Sequence, residues 1–131
     1  MSAVAAQPLP GTDGADFPFW SPDSRALGFF ANGKLKRIEF DGGPPQTLAD
    51  ASLGRGGAWN ADGIILFGPS GNTPLSRISA TSGTPEVVTH LEPGQTNHRF
   101  PQFLPDGRHF LFYAQGATDR SGIYLGSLDA R

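Results

Sequence analysis

Cysteine is absent from the 131 residues. That excludes disulfide staples, thiolate metal sites and cysteine nucleophiles together, and leaves packing and hydrogen bonding to hold the chain. An excess of one charge is missing too: ten Lys plus Arg stand against twelve Asp plus Glu, for a formal net charge of −2. A nucleic-acid arm or a basic membrane-surface helix needs a concentrated positive field, so neither nucleic acid nor membrane is expected as a partner. No apolar run approaches the roughly 18 residues of a membrane span. Residues 1–11 show no charged segment ahead of an apolar stretch, so no leader is expected there. Long uninterrupted helices are excluded as well, because eighteen Gly and twelve Pro punctuate the whole chain. What the chain does have is ten Phe, enough with its aliphatic residues for a core of many short strands joined by turns.

Self-similarity organises these strands. Three copies of one pattern occur: Phe17-Pro18-Phe19-Trp20-Ser21-Pro22-Asp23, Gly57-Ala58-Trp59-Asn60-Ala61-Asp62-Gly63, and Phe100-Pro101-Gln102-Phe103-Leu104-Pro105-Asp106-Gly107. The anchors Trp20, Trp59 and Phe103 are 39 and 44 residues apart, near the period of about 40 to 45 residues of a four-stranded propeller blade. Each anchor leads into an apolar run, 26–30, 64–67 and 110–113, read as a strand buried on both faces. Third strands are expected at 35–40, 75–80 and 123–128, and fourth strands at 46–48 and 86–88. Asn32-Gly33 suits a type I′ hairpin turn. Asp23, Asp62 and Asp106 recur at one turn position and read as backbone caps, and the three anchor aromatics as core between blades. The fold expected is all-β, a β-propeller with three four-stranded blades.

The third copy shows no fourth segment before Arg131, whereas Gln7-Pro8-Leu9 has the position of a fourth strand with no blade before it. Leu9 precedes Trp20 by eleven residues, as Leu48 precedes Trp59. The expected layout is a single half-propeller: an orphan closing strand and loop at 1–16, then blades at 17–50, 51–91 and 92–131. Two arrangements fit. A homodimer closes as a six-bladed ring, each chain lending its first strand to the partner's last blade. Alternatively, the 131 residues are a piece of a longer propeller.

The three motifs quoted above resemble the WD-repeat-like blades of TolB-type propellers. They are similar in wording to the propeller region that follows the kinase domain in some bacterial serine/threonine kinases. The resemblance runs from Gln7 to Asp129 and implies a six-bladed ring and an extracytoplasmic setting. Ala61 departs from it where the other copies have Pro, and Phe103 where they have Trp. Kinase chemistry is not expected: His98-Arg99-Phe100 lacks the catalytic aspartate, and Asp-Phe-Gly does not occur.

Candidate chemistry is sparse. Gly54-Arg55-Gly56-Gly57 lacks the Lys-Ser/Thr of a phosphate loop and reads as a turn that needs glycine. His90, His98 and His109 have no helical pairing, Gly-x-Ser-x-Gly is missing, and no metal or other cofactor is expected. In a propeller the loops entering the innermost strands and those between second and third strands share one side of the ring. That side carries Asn32, Lys34, Arg55, Asn97, His98 and Arg99 as candidate ligand-binding residues, with Asp13, Asp16, Asn72, Asp119 and Arg120 around them. The stretch 91–99 reads as an extended loop, four residues longer than its counterpart, and the one best placed to carry specificity. The function expected is a non-enzymatic binding or scaffold module, with itself and a small ligand or protein as partners. The alternatives are a hydrolase or lyase with a site in the channel, and an engineered or excised fragment whose one property is assembly.

Overall fold

The computed structural model describes residue 6 and residues 9–81 and 83–129. Among these, eleven strands form three antiparallel sheets and no helix occurs. The first sheet runs β1 (Asp16–Trp20), β2 (Ala26–Ala31), β3 (Lys34–Glu39) and β4 (Gln46–Asp50) in spatial order. The second repeats it with β5 (Gly57–Trp59), β6 (Ile64–Phe67), β7 (Ser76–Ser79) and β8 (Glu86–Val87). The third holds β9 (Gln95–Phe103), β10 (His109–Gly116) and β11 (Gly122–Ser127), and β11 has no outer neighbour among the described residues. The sheets coincide with the three sequence copies. In each, the strand carrying the anchor motif is innermost, and β5 lies between β1 and β9.

Local chemistry explains the hairpins. Asn32 and Gly33 both adopt left-handed backbone, φ 54° and 74°, as a type I′ turn requires. They set β2 against β3 in unbroken register from Ala26↔Glu39 to Ala31↔Lys34. At the opposite end of the array, Asp23 Oδ1 accepts the Arg25 N–H (3.0 Å), and Asp106 Oδ1 accepts those of Arg108 and His109 (2.9 Å each). These backbone donors, with the His109 ring, hold the Asp106 carboxyl down to about 2. Asp62 does not share this role. Asn60 Oδ1 takes it instead, accepting the Asp62 and Ile64 N–H groups at 3.0 and 2.9 Å, while Asn60 Nδ2 donates to the Gly107 carbonyl of the next blade (2.9 Å). An amide both caps its own turn and ties two blades, which a carboxylate, lacking a donor, cannot do.

The core is two seams between sheets and a smaller cluster on the outer face of blade 1. Phe19, Phe30 and Leu35 of blade 1 meet Ile65, Phe67 and Ile78 of blade 2. Leu66 and Leu75 from the other face of blade 2 meet Phe110, Phe112 and Ala114 of blade 3. This is period-two alternation: Ile65 and Phe67 face one neighbour and Leu66 the other. Each buried Phe or Leu contributes about 1.5–3 kcal/mol. The first seam also has a clamp, in which Arg37 stands 5.0 Å over the Trp59 ring and donates to the Ala80 carbonyl (2.9 Å).

Two expectations change at the ends of the array. Trp20, expected in the core, is 63 % exposed and stands edge-on to Phe40 at 5.4 Å. Its equivalents Trp59 and Phe103 pack at the seams. The cause is positional: each anchor faces the preceding blade, and blade 1 has none. The strand at 110–113 is buried on one face only, because Leu111 and Tyr113 point away from blade 2. Leu35 and Leu75 are fully buried, yet Ile123, at the same place in blade 3, is 69 % exposed. Of the proposed closing segment, Gln7 and Pro8 lie outside the described residues. Leu9 is in no strand and packs with Ala15 on Phe29, Ala31 and Ile38 of its own blade 1.

Gly57 is required at the first seam, where a Cβ would lie 2.5 Å from the Phe19 ring. Gly57→Ala is expected to destabilise the chain by about 1–3 kcal/mol through overpacking, and Phe19→Leu to restore part of that in the double variant. Additive losses in chemical denaturation would contradict this contact.

Candidate functional site

Loop ends gather on one side of the array. Ala51 N–H donates to Gly33 O (2.9 Å), Leu53 N–H to Pro69 O (3.2 Å), Arg55 N–H to Gly68 O (2.7 Å) and Ala117 N–H to Gly94 O (2.8 Å). The segments entering inner strands thus bond to those joining second and third strands, and the expected shared rim exists. Three positions before each anchor stands one left-handed residue: Phe17 in β1 (φ 50°), Gly56 just before β5 (φ 90°) and Phe100 in β9 (φ 55°). For the two Phe this is strain of order 1–3 kcal/mol. It brings their rings together at 5.7 Å across Gly56-Gly57, where a Cβ on Gly56 would meet Phe100 at 3.0 Å.

The six candidate residues do not form one cluster. Asn32 is exposed in its hairpin turn, and Lys34 is ion-paired with Asp50 across β3 and β4. The segment 95–99 is not a loop. It extends β9, pairing with a lengthened β10 through Arg99↔Tyr113, His98↔Ala114 and Asn97↔Gln115. The additional residues lengthen a hairpin, and two of them are structural. Asn97, 1 % exposed, donates through Nδ2 to the Gly71 carbonyl (3.0 Å) and Gln115 Oε1 (2.6 Å).

His98, 2 % exposed, is fully engaged at the second seam, with its ring 4.6 Å from that of Phe112. Its Nε2 is 2.8 Å from Gln95 Oε1, which also accepts the Glu92 N–H. Nε2 is therefore the donor, and Nδ1 accepts from the Thr89 hydroxyl at 2.8 Å. Thr89 Oγ1 in turn accepts the Leu75 N–H at 2.9 Å. Burial, reinforced by the His90 charge and opposed by Glu92, pushes His98 below its ordinary value. Beside it an apolar recess of about 200 Å³ opens between Val88, Phe110, Phe112 and Tyr124.

Arg55 and Arg99 remain as rim cations. Arg99 Nε donates to Asn97 Oδ1 (2.8 Å), its Nη2 to Gln115 Oε1, and its guanidinium lies 5.7 Å from the Phe100 ring. Burial first, and then the nearby Arg55 charge, lower Arg99 from the usual guanidinium range. Arg55 Nε is enclosed with no hydrogen-bond acceptor among the described residues, an omission that costs about 1–3 kcal/mol. Gln95, Thr89 and Gln115 escaped the sequence reading. Gln115 had one signal, since it stands opposite Asn97 once the hairpin is extended. Among the described residues no three His, Cys, Asp or Glu side chains gather as metal ligands, and no helix is long and apolar enough to cross a membrane.

Three stacked antiparallel sheets with innermost anchor strands make this a segment of a β-propeller. No family model matches the sequence, and no curated protein does. Solved structures do, and they give the likeness its particular form. The chain is similar to TolB from Acinetobacter baumannii, at 15 % identity and a TM-score of 0.72, over 93 % of this chain and 31 % of that one. It is similar to a putative TolB from Agrobacterium tumefaciens, at 24 % identity and a TM-score of 0.70, over 88 % of this chain and 43 % of that one. A third is regucalcin, a calcium-binding protein from Agrobacterium tumefaciens, at 19 % identity and a TM-score of 0.62, over 86 % of this chain and 45 % of that one. The fold is TolB-like, as the motif wording implied, and the chain spans less than half the length of these proteins.

His98 makes a pH prediction. Because its proton is held less readily in the folded chain, the stability it contributes is full above its ordinary value of 6.5 and is lost as pH falls below it toward the depressed value. Unfolding free energy is expected to fall more between pH 7 and pH 5 in the parent chain than in His98→Gln. Parallel pH dependences would contradict the buried neutral imidazole.

Proposed function

We propose that the chain is a non-catalytic propeller module that assembles with a second copy of itself and binds a ligand or peptide on the loop rim. One observation carries the assembly: the outer face of blade 3 is uncovered, and on blade 1, although Leu9 and Ala15 cover Phe29 and Ile38, two aromatic rings remain open. Trp20 and Phe40 stand open on blade 1, and Ile123 and Leu125 on blade 3. In a head-to-tail pair about a twofold axis, blade 3 of each protomer meets blade 1 of the other, giving six blades. Leu125 occupies in its blade the place of Arg37, so it would cover Trp20 as Arg37 covers Trp59. The free edge of β11 would gain a strand in the same step, removing a template for uncontrolled pairing. The TolB-like fold supports an extracytoplasmic setting as part of this reading.

A second reading rests on coverage: because the chain spans only 31–45 % of the solved structures it resembles, blades from the same polypeptide would cover the same faces. Light scattering separates the two for the 131-residue chain. The expected mass is that of two chains, with Trp20→Asp and Leu125→Asp each shifting it to one. A monodisperse single-chain mass for the parent would overturn self-assembly.

A further inference from the structure

We propose that Arg55 and Arg99 form an oxyanion subsite on the rim, taking a carboxylate or phosphate group of the ligand. This rests on the rim-binding reading above and names its chemistry. The two residues are tied through the backbone, since the Arg55 carbonyl accepts the N–H of Phe100, directly after Arg99, at 2.9 Å. Asn97 and Gln115 fix the Arg99 fork by accepting from Nε and Nη2, which leaves Nη1 without a protein acceptor among the described residues. No side-chain nitrogen of Arg55 has an acceptor among the described residues either, and since its Nε is enclosed, the terminal Nη groups are the donors a ligand would meet. Neither guanidinium is within ion-pair distance of a carboxylate among the described residues, whereas Arg37 and Arg108 both are. Two neighbouring cations with spare donors and no counter-charge match a planar or tetrahedral oxyanion, which accepts several N–H groups at once and offsets the repulsion between them. The Arg55 charge, second to burial in lowering Arg99, agrees with this proximity.

Asn97 and Gln115 are positioning residues for this fork. The half-exposed ring of Phe100, 5.7 Å from the Arg99 guanidinium, flanks the site on one side. The site accepts a free anion or the acidic group of a larger small molecule by the same contacts.

The arginine Nε–H resonances of the full chain provide the test, titrated in turn with inorganic phosphate, succinate and glucose. The expected result is a saturable shift of the Arg55 and Arg99 signals with phosphate, succinate or both, the stronger binder naming the oxyanion. Arg55→Gln and Arg99→Lys should each weaken that binding about tenfold or more. Arg25→Gln, at the opposite end of the array, should leave it unchanged. Shifts with glucose alone would overturn the oxyanion subsite and leave the rim reading standing, and no shift with any probe would overturn the subsite. An equal loss in the Arg25 variant would reduce the effect to general charge and overturn it too. Solution mass measured alongside keeps this outcome separate from that of self-assembly.

Discussion

A sheet of three or four short strands with apolar side chains on both faces cannot bury them by itself. Every other feature of this chain follows from that constraint. Blade 2 shows it satisfied: Ile65 and Phe67 are covered by blade 1, and Leu66 and Leu75 by blade 3. The seams are fastened where polar groups have to pass through them. Arg37 bridges to Trp59 and Ala80, Asn60 to Gly107, and Asn97 to Gly71. Stability in such stacks is a sum of blade and interface contributions, so an uncovered end face is a deficit that a neighbour removes.

The same stacking builds the rim. Closing the inner strands around the axis forces Phe17 and Phe100 into left-handed backbone and brings the segments after β4 and β8 against the loops of the next blade. Arg55 and Arg99 arrive side by side because β5 and β9 do. Their neighbourhood is a product of blade geometry, which places cations from two sequence copies at the loop end of adjacent blades.

The repeat was legible because it is written in side chains that packing needs: three anchors, three apolar runs and the Asn-Gly turn all fall in the expected strands and hairpins. Less legible was whatever depended on a neighbour. Trp20 looks like Trp59 in sequence and differs only in having no blade before it. Residues 95–99 count as extra loop length until Gln115 and Gly116 are seen to pair with them, since the extension of β10 lies beyond its apolar run. Asn97 and His98 read as rim residues because their partners, a backbone carbonyl in a distant loop and the hydroxyl of Thr89, leave no mark nearby in the chain. Asp62 matches its counterparts by position, yet the cap passes to Asn60, whose second hydrogen bond serves the seam.

End faces that are covered in solution would protect their amide hydrogens as the internal seams do. Amide hydrogen exchange tests this strand by strand at two protein concentrations. Slow exchange is expected in β10 and β11, comparable to that of β6, at high concentration, with loss of protection in blade 3 and β1 on dilution while β6 stays protected. Protection confined to blade 2 and its two seams at every concentration would contradict that coverage.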